Sequence, residues 1–290
     1  MRLKELLQFG IIELKRSGVT EASTDARLLL EHCLEKSRTE IFLLGDSIVD
    51  HHSYNHYLHL IDRRKKREPV YYIIGQCEFW SLPFYVTPDV LIPRPETEFL
   101  IDRVLSLTKK TNFTVGKILD LCCGSGVIAV ILARETGERV TAIDISAGAL
   151  DVAKLNIFRN EVGSEVELIQ ADLFTALLEK RRYSLIVSNP PYVSRFDVEN
   201  SLAPEVAWFE PRLALDGGEK GMEIIQRIRY WLPFFLIPGG EVFIEIGADQ
   251  GREVQHLFEE KTDSLPDFCS VEILTDYTGR DRVLHAKLAE

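Results

Sequence analysis

Asn189-Pro190-Pro191-Tyr192 is the stretch of this 290-residue chain whose residue types restrict chemistry most tightly. Two successive prolines donate no backbone hydrogen and hold the chain extended. The side-chain oxygen of Asn189 and the carbonyl of Pro190 are then left as fixed acceptors. Such a pair matches a planar NH₂ group, one acceptor to each hydrogen. With both hydrogens held, the direction left open on the nitrogen is perpendicular to its plane, where it can face an electrophilic methyl carbon. An amide nitrogen is a poor nucleophile, because its lone pair is delocalised into the carbonyl. Methyl transfer places positive charge on it, and preoriented carbonyl dipoles stabilise that charge more in the transition state than in the ground state. Tyr192 is placed to cover the face of the planar group. The other reading is a surface Pro-Pro turn closed by an aromatic, which the position after a buried strand makes the poorer fit.

A second constellation lies upstream. Leu119-Asp120-Leu121-Cys122-Cys123-Gly124-Ser125-Gly126 runs from an apolar strand into a helix over Val127–Arg134. Gly124 and Gly126 permit a tight turn and close approach of a ligand to the backbone. A dinucleotide version of this loop would need glycine at Ala129, so that reading is disfavoured. Asp144 closes the next strand, at about the 20-residue spacing that brings a carboxylate to a ribose diol. Alone it would read as the cap of a helix starting near Ser146; together with the glycine loop it points to an adenosine-type ligand. Asp172 is a candidate acceptor for an adenine amino group, with Leu173 beside the ring, and equally a cap for a helix over Phe174–Glu179. Cys122 and Cys123 read as small loop-lining residues, since adjacent side chains diverge and no further metal ligands stand near.

The elements that position these residues are legible from periodicity. Apolar runs at Lys117–Cys122, Arg139–Ile143, Val166–Gln170, Ser184–Ser188, Gly240–Ile246, Val271–Thr275 and Arg282–Ala286 alternate with helical patterns. That alternation predicts an α/β fold, a doubly wound, mostly parallel seven-stranded sheet covered by helices on both faces. Ligands of such sheets bind beyond the carboxyl ends of the strands. Residues 1–68 read as a small helical bundle, with Leu3, Leu6, Leu7, Ile11 and Leu14 on one stripe and Ala26, Leu29, Leu30, Cys33 and Leu34 on another. Ser23, Thr24 or Asp25 is a candidate cap for the second helix and Asp50 for a third, and Pro69 forbids simple continuation. Residues 69–95 read as a linker carrying a hairpin of Gln76–Trp80 and Phe84–Thr87, and 96–290 as the catalytic domain.

Composition bounds the classes that remain. An apolar share of 46% with 27% charged residues suits a folded soluble protein, and no run approaches the ~18 apolar residues of a membrane span. The first residues, Met1-Arg2-Leu3-Lys4-Glu5, are amphipathic and unlike a signal peptide, so a cytoplasmic protein without a membrane partner is expected. The five cysteines show no zinc spacing, which predicts reduced thiols and no metal. Acids and bases balance at twelve each before residue 89, and the remainder carries 33 acids against 22 bases, which is the whole net charge of −11. Nucleic acid is disfavoured as a partner of the large domain on that ground. Arg63-Arg64-Lys65-Lys66-Arg67 is the one dense basic run and reads as a solvated helix end. His51, His52, His56 and His59 lack ligand partners at metal spacing and read as exposed.

Taken together, these stretches resemble the release factor glutamine N5-methyltransferases of the HemK/PrmC type. The resemblance covers nearly the whole chain: the helical N-terminal region, the hairpin, Ile92-Pro93-Arg94-Pro95-Glu96-Thr97-Glu98, Asp120–Gly126, Asp144, Asn189–Tyr192, and Phe209-Glu210-Pro211-Arg212-Leu213-Ala214-Leu215-Asp216-Gly217-Gly218. The glycine loop and Asn-Pro-Pro-Tyr are shared with adenine-N6 and other amino-methyltransferases; Pro-Arg-Pro-Glu-Thr-Glu is more particular to this family. The resemblance implies that Cys122, Cys123, Gly124, Ser125, Gly126, Asp144 and Leu173 hold S-adenosyl-L-methionine, and Asp172 and Asn189 are further candidates for that ligand. It implies further that Asn189, Pro190, Pro191 and Tyr192 bind a glutamine side chain in the Gly-Gly-Gln loop of a peptide chain release factor. Asn189, Pro190 and Tyr192 are the catalytic candidates. The sequence departs from the family at Cys122, where the loop usually begins with glycine, and at Leu173, where an aromatic is common. A monomer is expected, with the helical domain gripping the protein substrate. Two other classes stay open: an adenine-N6 methyltransferase that flips a base into the same site, and a non-catalytic nucleoside-binding protein, against which the intact Asn189–Tyr192 stretch speaks.

Overall fold

Leucines and alanines at helical spacing build the first unit of the chain, and alternating apolar runs build the second. The computed structural model describes residues 1–110, 116–177, 183–261 and 267–290. One compact unit comprises Met1–Gln76 with Ala203–Phe209, and the other Cys77–Leu202 with Glu210–Glu290. In chain order the helices are α1 Leu3–Arg16, α2 Ala22–Leu34, α3 Arg38–Leu43, α4 His51–Lys65, α5 Val70–Ile74, α6 Pro95–Lys110, α7 Val127–Thr136, α8 Ala147–Arg159, α9 Arg195–Asn200, α10 Pro204–Phe209, α11 Glu223–Phe235 and α12 Gly251–Glu259. The strands are β1 Gln76–Phe79, β2 Leu82–Tyr85, β3 Ile118–Leu121, β4 Val140–Asp144, β5 Val166–Gln170, β6 Tyr183–Ser188, β7 Leu236–Glu245, β8 Phe268–Thr275 and β9 Asp281–Leu288.

In the helical unit both expected stripes face inward. Leu3, Leu6 and Leu14 meet Ala26, Leu29, Leu30, Tyr57, Leu60 and Ile61 in one core, with Leu7, Ile11, Cys33 and Leu34 at its margin. Asp50 caps a helix as expected, accepting from Ser53 N–H at 3.0 Å, but that helix is the fourth, α4, because the short α3, capped by Ser37, precedes it. The second helix differs: it starts at Ala22 with no side-chain cap, and Asp25 lies inside it, buried. There Asp25 receives Arg64 Nε at 2.7 Å, and Arg64 Nη2 reaches Glu205 at 2.8 Å, so one buried guanidinium joins α2, α4 and α10. Desolvation raises the Asp25 carboxyl, and the Arg64 contact opposes it.

The other cations of the basic run are engaged too. Arg63 meets Glu68, Lys65 meets Glu13, Lys66 meets Asp62 and Arg67 meets Glu205. Val70–Ile74, read from sequence as the start of the linker, is a helical turn whose Val70 and Ile73 enter the bundle core. Its β-branched and aromatic residues are indifferent helix formers, and burial against the bundle overrides that propensity.

The second unit holds a seven-stranded sheet in the order β5-β4-β3-β6-β7-β9-β8. Pairs β3–β4, β4–β5, β3–β6 and β6–β7 are parallel, while β9 runs antiparallel to both β7 and β8. Every residue of β3 and β6 is buried, as strands covered on both faces must be. Strand order reverses between β3 and β6, which opens a crevice at their carboxyl ends. Among the described residues no helix is long and apolar enough to cross a membrane.

Asn156, fully buried on α8, holds this crevice in shape. Its Oδ1 accepts from Tyr85 N–H at 2.6 Å, and its Nδ2 donates to Tyr85 O at 3.0 Å and to Ser125 O at 2.9 Å. One amide thus ties the end of the β1–β2 hairpin to the glycine loop. Asn156→Ala is expected to destabilise the chain by about 2–4 kcal/mol in denaturant unfolding, three bonds at their usual worth. A loss under about 0.5 kcal/mol would mean that water takes over all three.

Candidate active site

Beyond the carboxyl ends of β3, β4, β5 and β6 lies a cavity of about 220 Å³. Residues 122–125 wall it after β3, residues 144–146 after β4, residues 171–173 after β5, and Asn189 and Pro191 after β6. The segment 89–91 with Pro93 and Thr97, four residues of the turn at 211–216, and Ile224 and Arg227 of α11 also line it. Of the residues singled out from sequence, Gly126, Pro190 and Tyr192 stand outside this wall.

The glycine loop shows why each residue sits where it does. Cys122 has φ 59°, in the left-handed region where glycine is at ease, which accounts for glycine being the usual residue there. Gly124 has φ 52°, and a Cβ built on it would meet no atom within 4 Å, so its open side is the cavity itself. Gly126 serves packing: a Cβ would come within 3.1 Å of Ala153 Cβ on α8. Asp120 is fully buried and accepts from Ala129 N–H at 3.0 Å, which fixes the first turn of α7 to β3. Desolvation raises its carboxyl well above the ordinary range.

Asp144 does more than either reading from sequence. Its Oδ2 accepts from Gly124 N–H at 2.8 Å and its Oδ1 from Ser146 N–H at 2.9 Å, so the carboxylate joins the two loops. Ser146, not Asp144, caps α8, accepting from Ala149 N–H. A carboxylate has about four acceptor sites, so two remain for a diol. Burial raises this carboxyl, against the bonds from Ser146 and Gly124. Asp172 is half-exposed and pairs with Arg227 at 2.7 Å. It caps no helix, because residues 173–177 form a turn; the rest of the expected Phe174–Glu179 helix, from 178, lies outside the described residues. Leu173, buried at φ 51°, lines the cavity beside it.

The stretch after β6 is clamped from both sides. Val193 N–H donates to Leu215 O, Gly217 N–H to Val193 O, and Gln250 Nε2 to Tyr192 O at 2.9 Å. A Cβ on Gly217 would fall 2.7 Å from Pro191 O, and one on Gly221 would fall 2.2 Å from Tyr192 O. Arg94 pairs with the buried Glu210, which fastens residues 92–98 to residues 210–218, two stretches to which residue chemistry alone assigned no role. Asn189 donates from Nδ2 to Thr97 Oγ1 at 3.0 Å, and Thr97 Oγ1 donates to Glu245 Oε2 at 2.7 Å. Tyr192 is half-buried, its hydroxyl donating to Glu245 Oε1 at 3.1 Å. Glu245 was invisible to spacing arguments, being a single acid at the end of an apolar run 56 residues from Asn189. Among the described residues no cluster of His, Cys, Asp or Glu could hold a metal.

An adenosylated methionine fits these walls. The open face of Gly124 admits its backbone-proximal part, Asp144 offers two acceptors to a diol, and acidic groups outnumber Arg227 near a sulfonium charge.

Comparison with known proteins follows the same division. Residues 5–75 match the PrmC N-terminal domain and residues 96–218 the methyltransferase small domain. A release factor glutamine methyltransferase of Clostridium botulinum is 37% identical over 289 residues, covering 99% of each chain. One of Vibrio cholerae is 38% identical over 284 residues, covering 97% of this chain and 95% of its own. A methyltransferase structure from Pyrococcus furiosus superposes with a TM-score of 0.53 at 16% identity, covering 73% of this chain and 91% of its own, a likeness of fold.

Asp144→Ala is expected to weaken S-adenosylhomocysteine binding by at least about 10²-fold in calorimetry, since each charge-assisted bond is worth roughly 1.5–3 kcal/mol. Because burial holds this carboxyl above its ordinary range, the wild-type affinity should start to fall on acidification sooner than an exposed aspartate would allow. Affinity unchanged in the variant would remove Asp144 from the ribose site.

Proposed function

The chain belongs to the release factor glutamine methyltransferases, and from that premise we propose that it transfers a methyl group from S-adenosyl-L-methionine to the side-chain nitrogen, N5, of the glutamine in a Gly-Gly-Gln loop of peptide chain release factors. The observation that carries this reading is that Asn189 lines the same cavity as Gly124 and Asp144. One of the two NH₂-holding groups, Asn189, therefore shares an enclosure with the cofactor-holding groups at the strand ends.

In the proposed reaction Asn189 Oδ1 and the Pro190 carbonyl each accept one hydrogen of the glutamine amide. The amide plane is thereby fixed, with its nitrogen turned toward the methyl donor. S-Adenosylmethionine supplies the methyl carbon on a sulfonium. Nitrogen bonds to that carbon as the carbon–sulfur bond breaks with its electron pair going to sulfur, and the nitrogen releases one hydrogen to solvent as a proton. The two carbonyl dipoles stabilise the charge that builds on nitrogen, so no strong base is required. Tyr192 covers the face of the amide, its ring held by the bond from its hydroxyl to Glu245. Residues 122–125, Asp144, Asp172 and Leu173 hold the cofactor, and Gly126 supports the loop. The helical unit serves docking of the release factor body, in a cytoplasmic monomer. Its neutral charge balance and the acidic remainder of the chain favour a protein over a polyphosphate backbone.

Two measurements test this. Purified chain incubated with cofactor and, in parallel, an intact release factor, a short Gly-Gly-Gln peptide and adenine-containing DNA should place one methyl group on the glutamine, read by fragment mass spectrometry, with the intact factor preferred over the peptide. Methyl on DNA and none on glutamine would establish the adenine enzyme instead. Asn189→Ala should lower turnover by about 10²–10³-fold while cofactor affinity changes little, the usual cost of one preorganised contact. Near-normal turnover would show that other groups orient the amide.

A further inference from the structure

Asn189 is useful only if its oxygen, and not its nitrogen, meets the substrate, and the amide alone has no preference. The choice is made behind it. β6 and β7 pair with Ser188 opposite Ile244, so Asn189, just past the end of β6, comes beside Glu245, the last residue of β7, which stays paired with Val283 of β9. Glu245 is fully buried. It faces Thr97 at the start of α6, Tyr192 in the catalytic stretch and Arg282 on β9, with the charge of Glu96 nearby. Arg282 itself is turned toward Asp276 at 3.4 Å.

An ionised carboxylate only accepts, so Thr97 and Tyr192 must both point their hydroxyl hydrogens at Glu245. A threonine hydroxyl has one hydrogen. Once that is given to Oε2, Thr97 has only lone pairs left for Asn189, and Asn189 must bring its NH₂ to them. Oδ1 is then the atom left for a donor in the cavity.

We propose that Glu245, acting through Thr97, is a positioning residue for methyl transfer, dictating that Asn189 presents oxygen to the substrate amide. This rests on the methyltransferase reading above and adds the group that sets the polarity of its acceptor. The relay reverses when Glu245 takes a proton. A carboxylic acid can donate to Thr97 Oγ1, which frees the Thr97 hydrogen for Asn189. The amide then turns its oxygen to Thr97 and its NH₂ to the substrate NH₂, donor against donor. Burial pushes the Glu245 carboxyl up to about 7, against the bonds from Thr97 and Tyr192 and the charge of Arg282. The sign follows: the productive orientation holds above that value and is lost as pH falls through it.

The test is kinetic and spectroscopic. At saturating cofactor, wild-type kcat should fall on acidification with a midpoint at about 7. Glu245→Gln should lower kcat by about 10²-fold, the scale of a lost preorganised contact, with cofactor affinity nearly unchanged and the acid limb gone. Thr97→Val, which keeps shape and removes the hydroxyl, should do the same, and Thr97→Ser should restore turnover. Independently of turnover, the side-chain NH₂ resonances of Asn189, assigned by their absence in Asn189→Ala, should titrate with that same midpoint in wild type and not in Glu245→Gln. Unchanged kcat and acid limb in Glu245→Gln, or Asn189 resonances that do not move with pH in wild type, would overturn the proposal. A wild-type chain that methylates no glutamine yet shows the titrating resonance would refute the methyltransferase reading and leave the relay standing.

Discussion

The hydrogen of the Thr97 hydroxyl goes to Glu245 Oε2 at 2.7 Å, and the side-chain nitrogen of Asn189 comes to the same hydroxyl oxygen at 3.0 Å. Two bonds of ordinary length decide the polarity of one amide, and much of the second unit serves to bring their ends together. The parallel pairing of β6 with β7 sets Asn189 beside Glu245, and α6 enters from another part of the chain with Thr97. A buried carboxylate is costly unless its lone pairs are met. Here Thr97 and Tyr192 meet them, and in doing so surrender the hydroxyl hydrogens that could have competed for Asn189. The catalytic stretch itself has little freedom, since Gly217, Gly221 and Gln250 leave no room for its backbone to shift.

The cofactor end follows the same rule of one group joining two loops. Asp144 accepts backbone hydrogens from both the glycine loop and the β4–α8 turn, and Asn156 ties that glycine loop to the hairpin. A ligand reaching Asp144 thus meets a carboxylate already held at the right place, which lowers the ordering needed on binding. The left-handed backbone at Cys122 and Leu173 costs roughly 1–3 kcal/mol each, strain of the kind that persists where surrounding structure over-determines a site.

Much of this was legible from residues alone. The seven strands, their mostly parallel pairing, the cavity at their carboxyl ends and the presence of Asn189, Gly124 and Asp144 there follow from periodicity and from residue chemistry at strand ends. Relations between distant positions were not legible. Glu245 is an acid at the end of an apolar run, and nothing local says that its neighbour across the sheet is Ser188-Asn189. Thr97 lay within a stretch recognised only by resemblance. Asp25 looked like a cap and is instead the partner of an arginine 39 residues away. Tyr192 was read for its ring alone, and nothing local said that its hydroxyl would find a buried acceptor in Glu245. The basic run read as solvated, which holds for Lys66, paired locally with Asp62, whereas Arg64, Lys65 and Arg67 are met by Asp25, Glu13 and Glu205, pairings that only the packing of the helical unit creates.

The most direct test of the central claim is a structure of the chain with S-adenosylhomocysteine and a glutamine-bearing peptide, determined on the alkaline side of the Glu245 titration at a resolution that separates nitrogen from oxygen by their bonding. The expected result places the glutamine amide nitrogen at about 2.7–3.2 Å from both Asn189 Oδ1 and the Pro190 carbonyl, with Asn189 Nδ2 still on Thr97. An amide nitrogen held by other groups, or an Asn189 that turns its nitrogen to the peptide, would contradict it.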